Sequence, residues 1–535
     1  MSAPLGTLRS TRRYQFAVGA IVVVALGLRL FRLGANSFWV DEINVLSFVR
    51  SGHLLGDLRA RGGPFEPPLH YIAVWLATML PIGFETAARI PAALFGVLEV
   101  LGIVLLANEL TRRRLIALTA GLFLAVAPFA VRYSQENRYY TTFSALHLVS
   151  WWLLLRALRL KTRSAFMWWA VCGAALLLAH PFAPFVIFVQ LAVMVSVRIR
   201  IRDRSRRPST ASMVLGLAVL LGLALPWFVW GAIQWVPNLV HGQSYALNRA
   251  ARAPVQLDAD LIRRVMEWLL GNSGRVDLLV GLLALLIVGS LWVARGHLRD
   301  IAVMVTVYCF AFFLALVLLT RVVNTYLAVR RVEFLLAPGL LLAAIGLIAW
   351  LDRLGPADVG RRARRLTAGG LVIVLSLIGT AAYYTTEKSD YRSLATVVDA
   401  ASSRDLVVVG PVDARWVGSI HRYLDWKGVH HDLRVITFGA TPPRLELPKG
   451  HVIWITGSPP GGRTFHTVSL NSLLDMQVIA GDRTAGGAIL PWFVSTSRPD
   501  TSRALHRQLS RIRRLSVLLP PPPSSTFPWW LFTGR

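Results

Sequence analysis

Charge is what this chain lacks. Only 16% of its 535 residues are charged, and acids are the scarcer sign, with 28 Asp and Glu against 57 Lys and Arg. A soluble domain carries about a quarter charged residues, so a soluble fold is excluded as the starting expectation. Cysteine is nearly missing too: Cys172 and Cys309 both sit inside apolar runs. That leaves no disulfide framework, and neither thiol has polar neighbours to activate it. Internal repeats and a GxGxxG phosphate loop are also lacking, which weakens a nucleotide-binding reading. What remains is apolar. Hydrophobic residues make up 55% of the chain, the composition of a polytopic α-helical membrane protein.

The net charge of +29 does not point to nucleic acid. Basic residues fall in short clusters between apolar runs, at Arg112–Arg114, Arg156 to Arg163, Arg198 to Arg207 and Arg361 to Arg365. Cytoplasmic loops have that spacing under the positive-inside rule. About 20 apolar residues cross the hydrocarbon layer. Candidate spans lie near 14–33, 86–109, 115–132, 141–157, 164–180, 182–197, 210–230, 276–294, 301–320, 334–350 and 366–384. Arg9, Arg12 and Arg13 put the N-terminus inside. A cleaved signal peptide ending near Ala35 is the alternative for the first run, but Arg29 and Arg32 interrupt its end. Leu69–Leu80 is apolar, yet only twelve residues separate Pro68 from Pro81. Laid along the outer surface as an interfacial helix, it leaves every basic cluster inside. The expectation is about eleven spans with a cytoplasmic N-terminus and the C-terminus outside.

Composition changes after Thr386. Asp405–Pro411, Leu433–Phe438 and His451–Gly457 read as short buried strands, with helical stretches near 391–402 and 413–427 between them. This is the pattern of a small α/β domain with a partly parallel sheet. Gly410-Pro411 reads as a strand-to-helix turn. The expected division is therefore a transmembrane domain over 1–385, with a first outer loop over 34–85 holding juxtamembrane helices, and an extracytoplasmic α/β domain over 386–535. Its Pro-rich tail, Pro520–Pro523 through Trp529-Trp530, suits an interfacial anchor.

The threading puts a polar set on the outer face: Asp41, Glu42, Glu66 and His70 in the first loop, the turn Tyr133 to Tyr140, His180 before Pro181, the loop 231–275, and the turn Arg321 to Glu333. Lipid does not solvate such groups, so they face a cavity. The plainer reading of Asp41-Glu42 is a solvated pair or a helix N-cap. For Glu136 and Arg138 it is a local ion pair, for Arg330 and Arg331 snorkelling at a helix end, and for His180 a capped interfacial residue.

Four motifs weigh against the plainer readings. Arg29-Leu-Phe-Arg-Leu-Gly followed by Phe38-Trp-Val-Asp41-Glu42 resembles the first-loop acidic motif of family 39 glycosyltransferases. Pro67-Pro68-Leu-His70-Tyr71 with Arg89-Ile-Pro-Ala, and Ser134-Gln-Glu136-Asn-Arg138-Tyr139, are similar to their next two segments. Arg330-Arg331-Val-Glu-Phe-Leu-Leu-Ala-Pro338 resembles their late segment, with Val332 in place of an aromatic residue. The order and spacing carry the likeness. It implies the GT-C architecture, alongside protein O-mannosyltransferases and the lipid A aminoarabinose transferase, which use polyprenyl-phosphate sugars.

The resemblance implies an inverting transferase working outside the membrane on a lipid-carried donor. Asp41 would be the base for the acceptor hydroxyl, with Glu42 orienting it or capping a helix. Arg138, Arg330 and Arg331 would bind the donor phosphate. Glu136, Tyr139, Glu66, His70 and His180 would line the substrate pocket. No cofactor is required by this scheme. Asp41, Glu42 and Glu136 could supply oxygen ligands to Mg²⁺ or Mn²⁺, but no dense acidic cluster calls for one. The acceptor is open among glycan, lipid and protein. The missing Asn-x-Ser/Thr sequon and the Arg/Ala/Leu bias fit a bacterial inner membrane. Three other readings compete: a lipid or solute transporter, which predicts charges inside the spans; a non-catalytic relative binding cell-wall polymer; and a transferase using a lipid diphosphate.

Overall fold

The computed structural model describes residues 5–58, 66–201, 208–240, 277–322, 333–353 and 359–385, and then 392, 395, 398–399, 406–412, 414–430, 433–437, 452–455 and 492–495. The chain divides into two units: Met1–Leu33 with Phe48–Tyr384, and Gly34–Ser47 with Thr385–Arg535. The later boundary lies one residue from the change of composition. The earlier one differs from the sequence expectation, because Gly34–Ser47 groups with the C-terminal residues instead of with the rest of the loop 34–85.

Helices run in chain order as α1 (Leu5–Leu30), α2 (Val40–Val49), α3 (Leu54–Asp57), α4 (Leu69–Ala77), α5 (Phe84–Thr111), α6 (Arg114–Val126), α7 (Pro128–Ser134) and α8 (Tyr140–Leu160). They continue as α9 (Arg163–Leu177), α10 (Ala183–Arg200), α11 (Thr210–Val240), α12 (Asp277–Val293), α13 (His297–Val322), α14 (Leu336–Arg353) and α15 (Val359–Thr385). Among the described residues, seven helices are long and apolar enough to cross a membrane, or eight if the bent pair α6–α7 is one span. Three shorter apolar helices, Arg163–Leu177, Gly281–Val293 and Gly369–Tyr384, fall on the other predicted spans. By contrast α4 has nine residues, about 14 Å of helix, far short of the roughly 30 Å of hydrocarbon.

The bend between α6 and α7 has a local cause. Ala127 is extended (φ −61°, ψ 121°), as a residue before proline prefers. Pro128 then opens α7, where its missing N–H would be unbonded anyway. The two helices meet at 60°, which strands the last carbonyls of α6. Arg29 takes two of them, from Nη1 to Ala125 O at 3.1 Å and from Nη2 to Leu124 O at 3.4 Å. Thr380 Oγ1 donates to Val126 O at 3.0 Å. Carbonyls left bare inside a membrane protein are costly, so these contacts let the bend exist.

Opposite ends of the long helices differ in chemistry. At one end Glu109 accepts from Arg112 at 3.0 Å and from Arg159 at 2.8 Å. Arg113 pairs with Asp352 at 2.9 Å, and His297 Nε2 donates to Leu110 O at 3.1 Å. The basic ends of α5, α8, α13 and α14 therefore share one layer. The other ends of α5 and α8 meet the polar turn 134–139, where Thr141 Oγ1 donates to Ala92 O at 3.1 Å. Backbones also cross closely in the core. A Cβ on Gly346 of α14 would stand 2.1 Å from Leu286 O of α12.

The second unit contains a four-stranded sheet of β1 (Leu406–Val412), β2 (Leu433–Thr437), β3 (Val452–Ile455) and β4 (Trp492–Ser495), in the order β2-β1-β3-β4. β1 runs parallel to both neighbours, with Val407 opposite Leu433 and Ile453, and β4 is antiparallel to β3. Helix α16 (Ala414–Trp426) links β1 to β2, the crossover a parallel pair needs. Gly410-Pro411 does not end β1 as expected. The register shifts between Val409 and Val412 and the strand resumes, a bulge where proline is tolerated.

Candidate active site

The turn between α7 and α8 is locked from several sides. Gln135 Nε2 donates to the carbonyls of Arg29 at 3.0 Å and Phe31 at 2.7 Å, closing the frayed end of α1. His70, carried in by α4 and fully buried, approaches Asn137 Oδ1 with Nε2 at 3.2 Å and Thr142 Oγ1 with Nδ1 at 3.1 Å. An amide oxygen only accepts, so Nε2 carries the proton and Nδ1 accepts from Thr142. Burial, reinforced by the Arg138 charge and opposed by the Asn137 bond, drops the His70 pKa to about 3, and the ring stays neutral. With both nitrogens engaged, His70 braces the turn. Next to it the Tyr71 hydroxyl donates to Glu66 Oε2 at 2.6 Å. Burial first, and Glu66 second, hold the Tyr71 phenol well above its ordinary pKa.

Glu136 is buried and pairs with Arg132 at 3.5 Å. The sequence reading overlooked Arg132; its signal was a cation one helical turn before Glu136. The Arg138 guanidinium stands 4.8 Å from the Tyr139 ring centre and 5.7 Å from that of Tyr140. Its Nη2 donates to the Tyr139 hydroxyl at 3.4 Å, and a planar guanidinium is the side chain whose fork matches phosphate oxygens. Tyr139 also meets His180 edge-on at 5.0 Å. His180 is buried, stacks on Phe143 at 4.4 Å, and accepts the Phe182 N–H at 3.0 Å through Nδ1. Arg330 and Arg331 lie outside the described residues.

A second group of charges joins Arg29 of the first motif and Glu333 of the last to Glu99, which lies outside the motifs. Arg29, Glu99 and Glu333, from α1, the middle of α5 and the turn before α14, are all buried and interact electrostatically. Ser144 Oγ donates to Glu99 Oε1 at 2.6 Å, while Glu99 Oε2, Arg29 Nε and both Glu333 oxygens have no hydrogen bond. Buried ionisable groups in a membrane protein mark functional sites more often than structural ones. An acid midway along an apolar run was the available signal. Gly96 makes room here: a Cβ on it would meet Ser134 Oγ at 2.1 Å and Arg29 Nε at 2.8 Å.

Asp41 and Glu42 belong to the second unit and occupy the first turn of α2. Glu42 is fully buried, and its Oε2 accepts the Trp39 N–H at 3.2 Å. That is half of a capping box, the acid at the third helical position reaching back to the N-cap. Glu42 thus makes the capping contact, and Asp41 is half-buried. Within the same unit Arg392 donates to Gly34 O at 3.0 Å and Ala35 O at 3.2 Å, Arg422 reaches Asn44 Oδ1 at 3.5 Å, and Phe38 meets Tyr423 edge-on at 6.5 Å. Among the described residues no group of three or more His, Cys, Asp or Glu is placed to hold a metal ion.

Residues 65–230 match the family described as dolichyl-phosphate-mannose-protein mannosyltransferase. No curated protein matches the sequence significantly. Among solved structures, ArnT from Cupriavidus metallidurans bound to undecaprenyl phosphate superposes with a TM-score of 0.51 at 14% identity, covering 90% of this chain and 98% of that one. The archaeal oligosaccharyltransferase AglB from Archaeoglobus fulgidus, in complex with an inhibitory peptide and a dolichol-phosphate, also scores 0.51, at 12% identity over 78% of this chain. The fold is GT-C. This chain spans 64% of the AglB chain, so the likeness there concerns the shared membrane architecture.

Proposed function

We propose that the chain is an inverting membrane glycosyltransferase, moving a sugar from a polyprenyl-phosphate donor to an acceptor hydroxyl on the outer side of the membrane. The observation that carries this reading is Asp41, held at the start of a capped helix shortly after the first apolar helix. Asp41 takes the acceptor proton as the acceptor oxygen bonds to the anomeric carbon. The bond from that carbon to the phosphate oxygen breaks and its electrons leave with the phosphate. A single displacement with one base inverts the configuration. Arg138 holds the departing phosphate, joined by Arg330 and Arg331. Eleven spans with the basic layer of α5, α8, α13 and α14 in the cytoplasm complete the topology. The polyprenyl and dolichyl phosphates bound by the two structural relatives support a donor of that class.

Mass spectrometry of cell-envelope glycans with and without the protein is the test. One sugar disappears with the protein and does not return with Asp41→Asn, while the variant still accumulates in the membrane. An Asp41→Asn chain that restores the sugar overturns the assignment. No step above uses a metal, so transfer survives EDTA; loss reversed by Mg²⁺ or Mn²⁺ would overturn that part.

One observation favours the transporter reading. Glu99 lies midway along a membrane-crossing helix with an unbonded oxygen, where a transporter keeps its working charges. Glu99→Gln separates the two. A transferase keeps its product, since the Ser144 bond needs only an acceptor at that position, whereas transport through Glu99 stops.

A further inference from the structure

We infer that the C-terminal unit is a positioning device for the Asp41 helix, and that Arg392 is its principal positioning residue. The inference rests on the proposal that Asp41 is the base. Residues Gly34–Ser47 comprise Asp41 and its immediate flanks. They form one turn of loop and most of a ten-residue helix, too short to persist in isolation. Their grouping with Thr385–Arg535 instead of with the chain on either side of them shows where their support lies. Among the described residues, three contacts inside that unit contribute to it.

Arg392 spreads its two terminal nitrogens over adjacent carbonyls, Gly34 O at 3.0 Å and Ala35 O at 3.2 Å. This fixes the backbone entering α2. Helix α16 supplies the other two contacts. Tyr423, buried, presents its ring edge-on to the fully buried Phe38, and Arg422 holds Asn44 Oδ1 at 3.5 Å. The three anchors fall at residues 34–35, 38 and 44, two before Asp41 and one after it. A carboxylate displaced by about 1 Å loses roughly a hundredfold in rate, so anchors on both sides set how well Asp41 can act. Lysine cannot replace the fork, because one ammonium does not span two oxygens as a planar guanidinium does.

The test uses the full chain in lipid nanodiscs, with hydrogen exchange read by mass spectrometry and transfer read as restoration of the missing envelope sugar. Arg392→Ala is expected to speed exchange in peptides covering 34–47 by about tenfold, leave peptides from α5 and α8 unchanged, and cut transfer. Binding of undecaprenyl phosphate, read as a thermal shift, is expected to stay at the wild-type level, which a general loss of structure would not allow. Arg392→Lys is expected to fall between wild type and alanine in both readouts. Unchanged exchange over 34–47 in Arg392→Ala overturns the inference, as does fast exchange there with full transfer. If Asp41→Asn itself keeps transfer, the base assignment fails, and exchange alone decides whether Arg392 holds the loop.

Discussion

His70, read from the sequence as a residue of the substrate pocket, is buried between two hydrogen-bond partners. Adjacent to Pro67-Pro68 and facing outward in the threading, it had the profile of a pocket histidine. The ring donates to Asn137 and accepts from Thr142, and burial sets its pKa near 3 against about 6.5 in an unfolded chain. The sign follows from proton counting. Between those two values the unfolded chain binds a proton that the native ring refuses, so acid favours unfolding. The contribution is whole above about pH 6.5 and is lost as pH falls toward 3. Thermal unfolding of the wild type between pH 7.5 and 5 is expected to show a falling midpoint. His70→Gln, which keeps a donor and an acceptor, is expected to flatten that slope while losing on the order of 1 kcal/mol at pH 7.5. An equal slope in both proteins would contradict the assignment.

Elements were more legible than residues. Long apolar runs place the helices, because a membrane helix leaves an all-round apolar signature that no other element shares. What composition does not carry is contact. The run 115–132 read as one span, yet it breaks at Ala127 and Pro128 and relies on Arg29 and Thr380 to close the break. Three strands of the second unit coincide with the apolar runs read from the sequence; β4, Trp492-Phe-Val-Ser495, is also apolar but too short to stand out. Close crossings are equally silent, since glycine in a membrane helix is common. Gly346→Ala puts a methyl 2.1 Å from a backbone carbonyl, whereas at Gly339 the nearest atom is a flexible Ile287 methyl at 3.9 Å. The first change is expected to destabilise by roughly 1–3 kcal/mol and the second by little. Thermal unfolding of the two variants in one detergent checks the contrast, and equal midpoints would refute the tight α12–α14 crossing.

At the scale of the molecule, one layer of basic helix ends and one polar turn at the far ends of α5 and α8 give the bundle a polarity that charge counting had anticipated. Glu99 was the part charge counting missed, because one acid adds little to a tally but much to a dry interior. The orientation has a direct check. In a background with Cys172 and Cys309 replaced by alanine, His53→Cys is expected to react with a membrane-impermeant maleimide on intact cells. Arg163→Cys is expected to react only after permeabilisation. The reverse pattern would place the polar turn in the cytoplasm and remove the argument for a lipid-carried donor.

Two guanidinium groups, Arg29 and Arg392, lie across adjacent main-chain oxygens at places where a helix has given out. Each does the work of a missing peptide N–H, and does it twice from one flat cation. Evolutionary drift at these positions should therefore be asymmetric: exchange of arginine for lysine, harmless on most surfaces, would unseat a stretch of backbone in either place. Descendants of this gene should tolerate wide change in the loops around them and keep those two letters fixed.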